Sequence, residues 1–274
     1  MSEIKKLAVI AGATGGIGTA IARRLAKSRT ALFLHGCHRI PELAALKKKY
    51  GAGSCIADLA KPDSPGVLFE SFEKWADTFP LGRIESVSFI FAAGVDLMAP
   101  AAKSLPFEKR LARAASVDLF APIALARRFA AWRQARERGE TANDSVLFFS
   151  WDGAFRGMEG DTAQIYAAAK GGLAAFAQSF AQDQEGKLRV LTISPGWIAT
   201  AWGKQASARA NSRVQRESLA RRWGTPEEAA DLAAFLISDK ARYLNGVNIP
   251  LNGGFSFRTE ERSAETGPDR RAGA

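Results

Sequence analysis

The sequence predicts an α/β fold in which a doubly wound parallel sheet of seven strands carries helices on both faces. Two observations support this prediction. Apolar, strand-like runs alternate with helix-like segments from residue 7 to about residue 252, which is typical of parallel sheets with crossover helices. The apolar runs show little polar alternation, as expected of strands that are covered on both faces. With 47% hydrophobic and 24% charged residues in a chain of 274, the composition excludes a largely disordered protein.

The predicted elements follow one another in a regular order. Seven apolar runs are predicted as strands, at residues 7–11, 31–34, 53–57, 87–92, 146–150, 188–194 and 247–251. Helical spacing predicts helices between them, at residues 17–27, 41–50, 65–78, 105–138, 163–184 and 226–238. Neither a repeat nor a linker divides residues 1–254, which we expect to form one domain. Residues 255–274 are polar and without an apolar period, which predicts a mobile tail or an arm lying on another subunit.

The charge balance narrows the classes of partner. Lys and Arg number 38 against 28 Asp and Glu, so the net charge is +10 and anionic partners are favoured. The excess lies in residues 103–138, with nine basic and three acidic side chains, and in residues 201–222, with six and one. We find no nucleic-acid-recognition motif or aromatic platform, so nucleic acid is not an expected partner. No apolar run reaches the ~18–20 residues of a membrane span and no signal-peptide pattern begins the chain, so we expect a cytoplasmic protein.

Cysteine and histidine usage excludes several kinds of site. The two cysteines, Cys37 and Cys55, have no CxxC spacing, which argues against both a disulfide framework and a zinc site. His35 and His38 are the two histidines and lie in one short segment, which leaves almost no room for Ser-His-Asp hydrolysis. We therefore expect no metal in the site.

A glycine-rich turn follows the first predicted strand and opens a helix. Its residues are Gly12, Ala13, Thr14, Gly15, Gly16, Ile17 and Gly18. Gly12 suits a tight turn, Gly16 lets backbone N–H groups approach a pyrophosphate, and Gly18 lets the helix pack close to the strand. The helix N-terminus would add positive partial charge for the phosphates. The alternative is an ordinary glycine-rich turn, but its position after the first strand of an α/β pattern favours dinucleotide binding and a Rossmann-like sheet.

The end of the second strand bears on the choice of nicotinamide cofactor. An acidic residue there would bind a ribose 2′-hydroxyl, and a basic residue would accept a 2′-phosphate. His38 and Arg39 occupy this segment without a carboxylate, which favours NADP(H) over NAD(H) unless Arg39 is simply a surface residue. After the third strand, Asp58 and Leu59 are candidates for contact with the adenine, and Asp58 also suits a helix N-cap.

Three side chains form a candidate catalytic group. Tyr166 and Lys170 are four residues apart, so they share one face of a predicted helix. Ser150 ends the strand immediately before, and the carboxyl ends of such strands face the ligand crevice. The pKa of a free tyrosine is near ~10, and a nearby ammonium lowers it, so a Tyr–Lys pair suits proton transfer to or from a reacting oxygen. A surface helix pair remains the alternative for the two helical residues alone.

Together these patterns resemble the short-chain dehydrogenase/reductase family, and most of all its 3-oxoacyl-carrier-protein reductases. The matching motifs span residues 7 to 254 in the family's order and are Gly12-x-x-x-Gly16-x-Gly18, Asp58-Leu59, Ala92-Ala93-Gly94, Ser150, Tyr166-x-x-x-Lys170 and Pro195-Gly196-x-Ile198-x-Thr200. The resemblance implies that Tyr166 is the general acid/base, that Lys170 binds the nicotinamide ribose and lowers the pKa of the tyrosine, and that Ser150 holds the substrate oxygen. It also implies that residues 195–200 contact the nicotinamide end of the cofactor.

Three departures from the family pattern stand out. Phe91 precedes Ala92-Ala93-Gly94 where the family has asparagine. Asp118 occupies the position of the family's active-site asparagine, so it is a further catalytic candidate. Asp118 is open to three interpretations: it binds the relay water, pairs with Lys170, or bonds the backbone at a helix kink. Sixteen residues separate Ser150 from Tyr166, more than is usual, which predicts an unusual mouth of the pocket.

The substrate is less sharply indicated. Trp151, Trp197 and Trp202 follow motif residues on the cleft side and are candidates for an apolar pocket wall, with ordinary packing as the alternative. The resemblance implies an NADPH-dependent ketoreductase of fatty acid or polyketide biosynthesis, a substrate lid over residues 201–222 and a homotetramer or dimer packed through the two long helices. An acidic acyl carrier protein would be steered by the lid and by three basic residues at a helix end, Arg133, Arg136 and Arg138, unless these form a solvated face. The alternatives are a dehydrogenase of a free small alcohol, sugar or steroid, and a non-catalytic dinucleotide sensor or scaffold.

Overall fold

A computed structural model describes residues 4–136, 143–201, 203 and 206–255. One fully parallel sheet runs through this part of the chain, and its strands stand in the order β3-β2-β1-β4-β5-β6-β7. The strands are β1 Lys6–Ala11, β2 Thr30–Gly36, β3 Gly53–Ile56, β4 Ser86–Phe91, β5 Ser145–Phe149, β6 Arg189–Pro195 and β7 Val247–Leu251. The predicted seven-stranded, doubly wound fold is confirmed.

Helices cover both faces of the sheet. They are α1 Gly16–Leu25, α2 Ile40–Tyr50, α3 Ser64–Ala76, α4 Pro100–Lys103, α5 Phe107–Ala114, α6 Ala121–Gln134, α7 Asp161–Asp183, α8 Ala208–Glu217 and α9 Pro226–Leu236. Alternate residues of each central strand point to opposite faces. Val9 packs with α3, α6 and α7, whereas Ile10 packs with α1 and α9. Among the described residues, no helix has both the length and the apolar character to cross a bilayer.

The strand order reverses beside β1, and this reversal positions the site. From β1 the chain moves outwards through β2 to β3, then returns to β4 on the other side of β1. The loops that leave β1 and β4 therefore diverge, and a crevice opens at their carboxyl ends, which is where ligands bind in doubly wound sheets. The glycine turn after Ala11 and the segment after Phe91 border this crevice.

The helices over residues 105–138 and 208–217 differ from the prediction. The single helix expected over residues 105–138 begins after Pro106 at Phe107, passes through a π-helical turn at Ala115–Phe120, and ends at Gln134. Proline has no N–H to donate and disfavours helix in the residue before it, which explains the later start. The unpredicted helix α8 buries Val214 alone and is otherwise polar, so its sequence has no apolar period to detect.

Candidate active site

The glycine turn is shaped so that side chains would collide with the backbone. Gly12 has φ +86°, and a Cβ there would lie 2.5 Å from the backbone nitrogen of Ala93. A Cβ on Gly18 would lie 2.1 Å from the carbonyl oxygen of Gly12, and one on Gly16 would lie 2.9 Å from the methyl group of Thr200. Gly16 is also the first residue of α1, and Gly15 and Gly16 are exposed. The structure thus presents free helix N-terminal N–H groups in a cradle without side chains, which fits the pyrophosphate of a dinucleotide.

The other residues of the turn anchor it to the sheet. Ile17 packs against the apolar cluster under α1, and the methyl group of Thr14 lies beside Gly36 at the end of β2. Ala92 and Ala93 continue β4 beside Gly12, and Ala92 donates a backbone hydrogen bond to Ala11 at 2.9 Å. These residues therefore support the cradle on its β4 side.

A buried histidine supports the glycine turn from below, and sequence reasoning did not assign it a role. The Gly12 N–H donates to Nδ1 of His35 at 3.2 Å, while Nε2 of His35 lies 2.9 Å from the carbonyl oxygen of Ala57. This network assigns the proton to Nε2 of a neutral ring. Burial lowers the pKa of His35, which favours the same neutral form. In the sequence His35 served only to argue against Ser-His-Asp hydrolysis, and nothing in its local pattern indicates that it ties β2 to the turn and to β3.

The residues proposed for the adenosine end gather where β2 and β3 end. His38 and Arg39 are exposed, with Arg39 at the N-cap position of α2. Asp58 accepts a hydrogen bond from the Ala60 N–H at 3.1 Å, whereas α3 begins later, at Ser64, so Asp58 does not cap that helix. Leu59 is 5% exposed and its side chain belongs to the hydrophobic core.

The three catalytic candidates converge at the carboxyl end of β5. Lys170 Nζ donates to the carbonyl oxygen of Phe149 at 3.0 Å, and Ser150 Oγ donates to the carbonyl oxygen of Lys170 at 2.8 Å. The Tyr166 hydroxyl donates to the carbonyl oxygen of Val95 in the loop after β4. The helix α7 thus brings two of the residues to a strand end that carries the third.

Asp118 combines two of the interpretations left open by the sequence. One carboxylate oxygen lies 2.8 Å from Lys170 Nζ, and the other accepts from the Val95 N–H at 3.2 Å. Asp118 lies in the π-helical turn between α5 and α6, where the widened backbone turns its side chain towards α7. Asp118 is 1% exposed and Lys170 8%, so this is a buried ion pair.

These surroundings raise the pKa of Tyr166 well above its ordinary value. Burial contributes most, followed by the negative charge of Asp118, with a smaller contribution from Asp96. The Leu97 N–H, which donates to the phenol oxygen at 3.5 Å, and the nearby Arg110 act in the opposite direction. In the free protein, Tyr166 is therefore a protonated phenol at neutral pH, able to donate rather than to accept a proton.

The loop after β6 and the tryptophans form the far side of the crevice. Gly196 lies against Asn252, which donates to the Asp152 carboxylate at 3.1 Å, and burial raises the pKa of Asp152 to about 6. Thr200 touches the glycine cradle at Gly16, while Pro195 and Ile198 are buried. Residues 195–200 thus connect the cradle to the end of the sheet.

The tryptophans proposed for the pocket have different surroundings. The Trp151 ring lies 6.4 Å from the ring of Tyr166, one of the catalytic candidates. Trp197 packs edge-on against Trp223 at 5.1 Å and lies 6.3 Å from Phe255, so it belongs to an aromatic cluster under the lid segment. Trp202 lies outside the described residues. Phe255, assigned by composition to the polar tail, is 2% exposed, while residues 256–274 lie outside the described part.

The predicted docking site at the end of α6 is wrong. Arg133 pairs with the buried carboxylate of Asp144 at 3.2 Å, just before β5 begins. Arg136 pairs with Asp77 at 3.1 Å and stacks on Trp132. Both therefore lie at the amino-terminal edge of the sheet, away from the crevice, because α6 runs about 20 Å from its start near Asp118 to this end. Arg138 lies outside the described residues.

The lid segment retains exposed basic residues near the crevice. Arg209 of α8 is 85% exposed and lies 3.8 Å from Glu159. Arg213 pairs with Glu217 within α8 at 3.1 Å, and Arg222 pairs with Glu228 at 2.6 Å. The positive charge of the lid is therefore partly neutralised by these pairs.

Comparison with known proteins agrees with this geometry. A family model described as enoyl-(acyl carrier protein) reductase matches residues 12–256. Acetoacetyl-CoA reductase of Allochromatium vinosum is 28% identical over 91% of this chain and 98% of its own. 2-Dehydro-3-deoxy-D-gluconate 5-dehydrogenase of Pseudoalteromonas atlantica is 28% identical over 92% and 96%. The crystal structure of angucycline C-6 ketoreductase LanV with bound NADP superimposes with a TM-score of 0.76 at 23% identity, over 92% of this chain and 96% of the other.

Proposed function

The chain belongs to the short-chain dehydrogenase/reductase family of NAD(P)-dependent oxidoreductases that act on CH–OH groups, and from this premise we propose that it is an NADPH-dependent ketoreductase. One observation carries the proposal. Ser150 and Lys170 meet at the carboxyl end of β5, and the hydroxyl of Tyr166 lies on the neighbouring loop after β4, which borders the glycine cradle that fits a dinucleotide. In this proposal the enzyme reduces a ketone to a secondary alcohol.

The residues that would hold the cofactor follow from the cradle and its borders. Gly15, Gly16 and the first N–H groups of α1 face the phosphates, and Arg39 takes the 2′-phosphate as the exposed cation at the end of β2. The segments Ala92–Gly94 and Pro195–Thr200 border the remainder. When bound, the nicotinamide supplies the hydride.

The chain itself supplies the proton and the orientation of the carbonyl. The Tyr166 hydroxyl donates its proton to the carbonyl oxygen as negative charge develops there, and the Ser150 hydroxyl donates a hydrogen bond to the same oxygen. In the structure both hydroxyls donate to backbone carbonyls, so in this proposal each changes its partner to reach the substrate oxygen. Lys170 follows Tyr166 by four residues in α7 and is a buried cation. Its ammonium group is held in place by the Asp118 carboxylate. The raised pKa of Tyr166 keeps its hydroxyl protonated, so it carries the proton that reduction of a carbonyl consumes.

For the substrate, we propose a 3-oxoacyl thioester, with acyl carrier protein as the acidic carrier. The relative that reduces an acetoacetyl thioester and the exposed Arg209 beside the crevice support this choice. The similar identity of the sugar-acid dehydrogenase keeps a free hydroxy compound as the second candidate. We further propose that the enzyme is a homo-oligomer, which is supported by the apolar side chains of Phe120 and Phe155, 61% and 66% exposed.

The deciding experiment is a substrate panel with NADPH and NADH. Wild-type protein is expected to oxidise NADPH with a 3-oxoacyl thioester, and Tyr166→Phe to lose about 10²- to 10⁴-fold in kcat. Tyr243→Phe is the matched control, because Tyr243 is fully exposed and remote in sequence from the site. Equal inertness of all three proteins over a broad panel of carbonyl compounds contradicts the reductase proposal. Activity confined to sugars or small alcohols favours the second candidate.

Cofactor choice and carrier docking have separate tests. Arg39→Ala is expected to weaken NADPH binding about tenfold or more and to leave NADH unchanged, since a charge-assisted hydrogen bond contributes about 1.5–3 kcal/mol. Arg29→Ala, at the opposite end of β2, is the control.

Arg209→Glu is expected to raise KM for a carrier-bound substrate but not for the small thioester, whereas Arg136→Gln at the far edge of the sheet changes neither KM. Equal effects on both substrates would remove the carrier from the proposal.

A further inference from the structure

Three side chains of different chemistry face one another in the pocket at the ends of β2 and β3. They are the thiol of Cys37, the imidazole of His38 and the carboxylate of Asp58, and one potential ligand atom of each lies within 4.8 Å of the others. Cys37 Sγ lies 3.3 Å from Nε2 and 3.5 Å from Nδ1 of His38. The pocket has a volume of about 420 Å³, and Lys61 also lines it.

The separation of the Cys37 sulfur from the His38 ring nitrogens matches that of two ligands in a tetrahedral metal site. Zinc binds thiolate sulfur at about 2.3 Å and imidazole nitrogen at about 2.0–2.1 Å, which places the two ligand atoms about 3.5 Å apart. Thiolate, imidazole and carboxylate together form a donor set that suits Zn²⁺, with three protein ligands and one position left for water. We propose that Cys37, His38 and Asp58 form a binding site for Zn²⁺ or a similar thiophilic divalent cation.

The backbone that carries two of the three ligands is held firmly. Gly36 pairs with Ile56 in the parallel sheet, and the Ala57 N–H donates to the Gly36 carbonyl at 3.1 Å, so Cys37 and Asp58 follow directly from joined strand ends. The Ala60 N–H donates to one oxygen of Asp58, which orients the carboxylate as outer hydrogen bonds do in metal sites. The exposed His38 is free to complete the set by rotating its ring.

The charges balance once the thiol ionises. A cysteine thiol ordinarily carries its proton at neutral pH. Binding forms the metal–sulfur bond and releases that proton to solvent, since a coordinating thiol is deprotonated. The thiolate and the carboxylate then neutralise a divalent cation.

The location of the site has a functional consequence, which rests on the proposed function. The sequence predicts that His38 and Asp58 also contact the adenosine end of NADPH, and they cannot serve both ligands at once. The metal and the cofactor are therefore mutually exclusive, and Zn²⁺ acts as a competitive inhibitor of cofactor binding.

The test uses the full-length protein without a purification tag and Co²⁺ as a spectroscopic probe. Cobalt bound to a thiolate gives a sulfur-to-metal charge-transfer band in the near ultraviolet. The chain has two cysteines, so Cys37→Ser is expected to abolish the band and Cys55→Ser, the matched control, to keep it. Asp58→Asn is expected to weaken Co²⁺ binding about tenfold or more. Zn²⁺ is then expected to displace Co²⁺ and to raise the apparent Kd for NADPH in wild type but not in Cys37→Ser.

Each outcome decides one of the two claims. No charge-transfer band, or a band that survives in Cys37→Ser, overturns the metal site. A Cys37-dependent band with unchanged NADPH binding supports the metal site and overturns the competition. A protein that gives the band but binds neither NADPH nor NADH supports the metal site while the proposed reductase function fails. Protection of Cys37 by Zn²⁺ from a thiol reagent in the wild-type protein gives the same answer if Cys37→Ser does not fold.

Discussion

Replacing Asp118 by asparagine is expected to destabilise the protein by about 3 kcal/mol. The change leaves the ammonium group of Lys170 buried without its counter-ion, which lies 2.8 Å away in the native protein. At an effective dielectric constant of about 20, two unit charges separated by the observed 2.8 Å attract by about 6 kcal/mol.

Two effects reduce that Coulomb figure. Desolvation of both ions offsets part of the attraction, and removing one partner of a buried pair typically costs about 3–5 kcal/mol. Lys170 also keeps its 3.0 Å hydrogen bond to the carbonyl oxygen of Phe149, and the asparagine amide oxygen still accepts from it. We therefore expect a loss at the lower end of the range.

Urea unfolding of a double-mutant cycle measures this coupling. The cycle consists of wild type, Asp118→Asn, Lys170→Met and the double variant. The double variant is expected to be more stable than the sum of the two losses predicts, by at least about 1 kcal/mol, because no unpaired buried charge remains. If Asp118→Asn lies within about 0.5 kcal/mol of wild type, or if the two losses simply add, the buried ion pair is not a stabilising element and the reasoning is refuted.

Three further outcomes follow from the contacts of single residues. Asp118→Asn is expected to lower the pKa of Tyr166, because the Asp118 charge is second only to burial in raising it; tyrosinate absorbance at alkaline pH, corrected with Tyr166→Phe, measures this, and an unchanged titration contradicts it. Acidification is expected to destabilise the protein through His35, because burial lowers its pKa below the ordinary 6.5; its contribution is complete above pH 6.5 and is lost progressively as the pH falls from 6.5 to the lowered pKa of the folded protein. His35→Gln should flatten the dependence of the unfolding free energy on pH, and curves parallel to wild type would contradict the neutral, buried imidazole. Phe72→Ala is expected to lower stability by about 3–5 kcal/mol, because Phe72 is fully buried among aromatic rings; the exposed Phe155→Ala serves as control, and a similar loss in both variants would count against this view of the core.

Much of the site was predictable because its residues lie close together in the chain or follow strand ends. The turn from Gly12 to Gly18 is a local feature, and its glycines are required by contacts that a strand–turn–helix always produces. Tyr166 and Lys170 share a helix face by spacing alone. The roles proposed for these residues stay predictions until the variants above are measured.

The partners of charged side chains were less predictable. Arg133 and Arg136 contribute to a basic segment in the sequence, but the fold places them against Asp144 and Asp77 at the far edge of the sheet. A charge count cannot show this, because the acids that neutralise a basic helix come from other parts of the chain. The same limit applies to His35, whose two partners lie 22 and 23 residues away in sequence.

The sequence by itself determined the parallel α/β fold and the order of the motifs along it, because alternating apolar periods and glycine turns act over a few residues. Only the tertiary structure decided which side chains share a pocket or form an ion pair. It placed Asp118 on Lys170 across two helices and brought Asp58 beside Cys37 and His38 across two strands. The spacing of these residues along the sequence predicts neither contact, since each contact depends on strand register or helix packing between segments that are distant in sequence. The basic excess was visible from composition, but the direction it faces was decided by the path of α6 across the sheet.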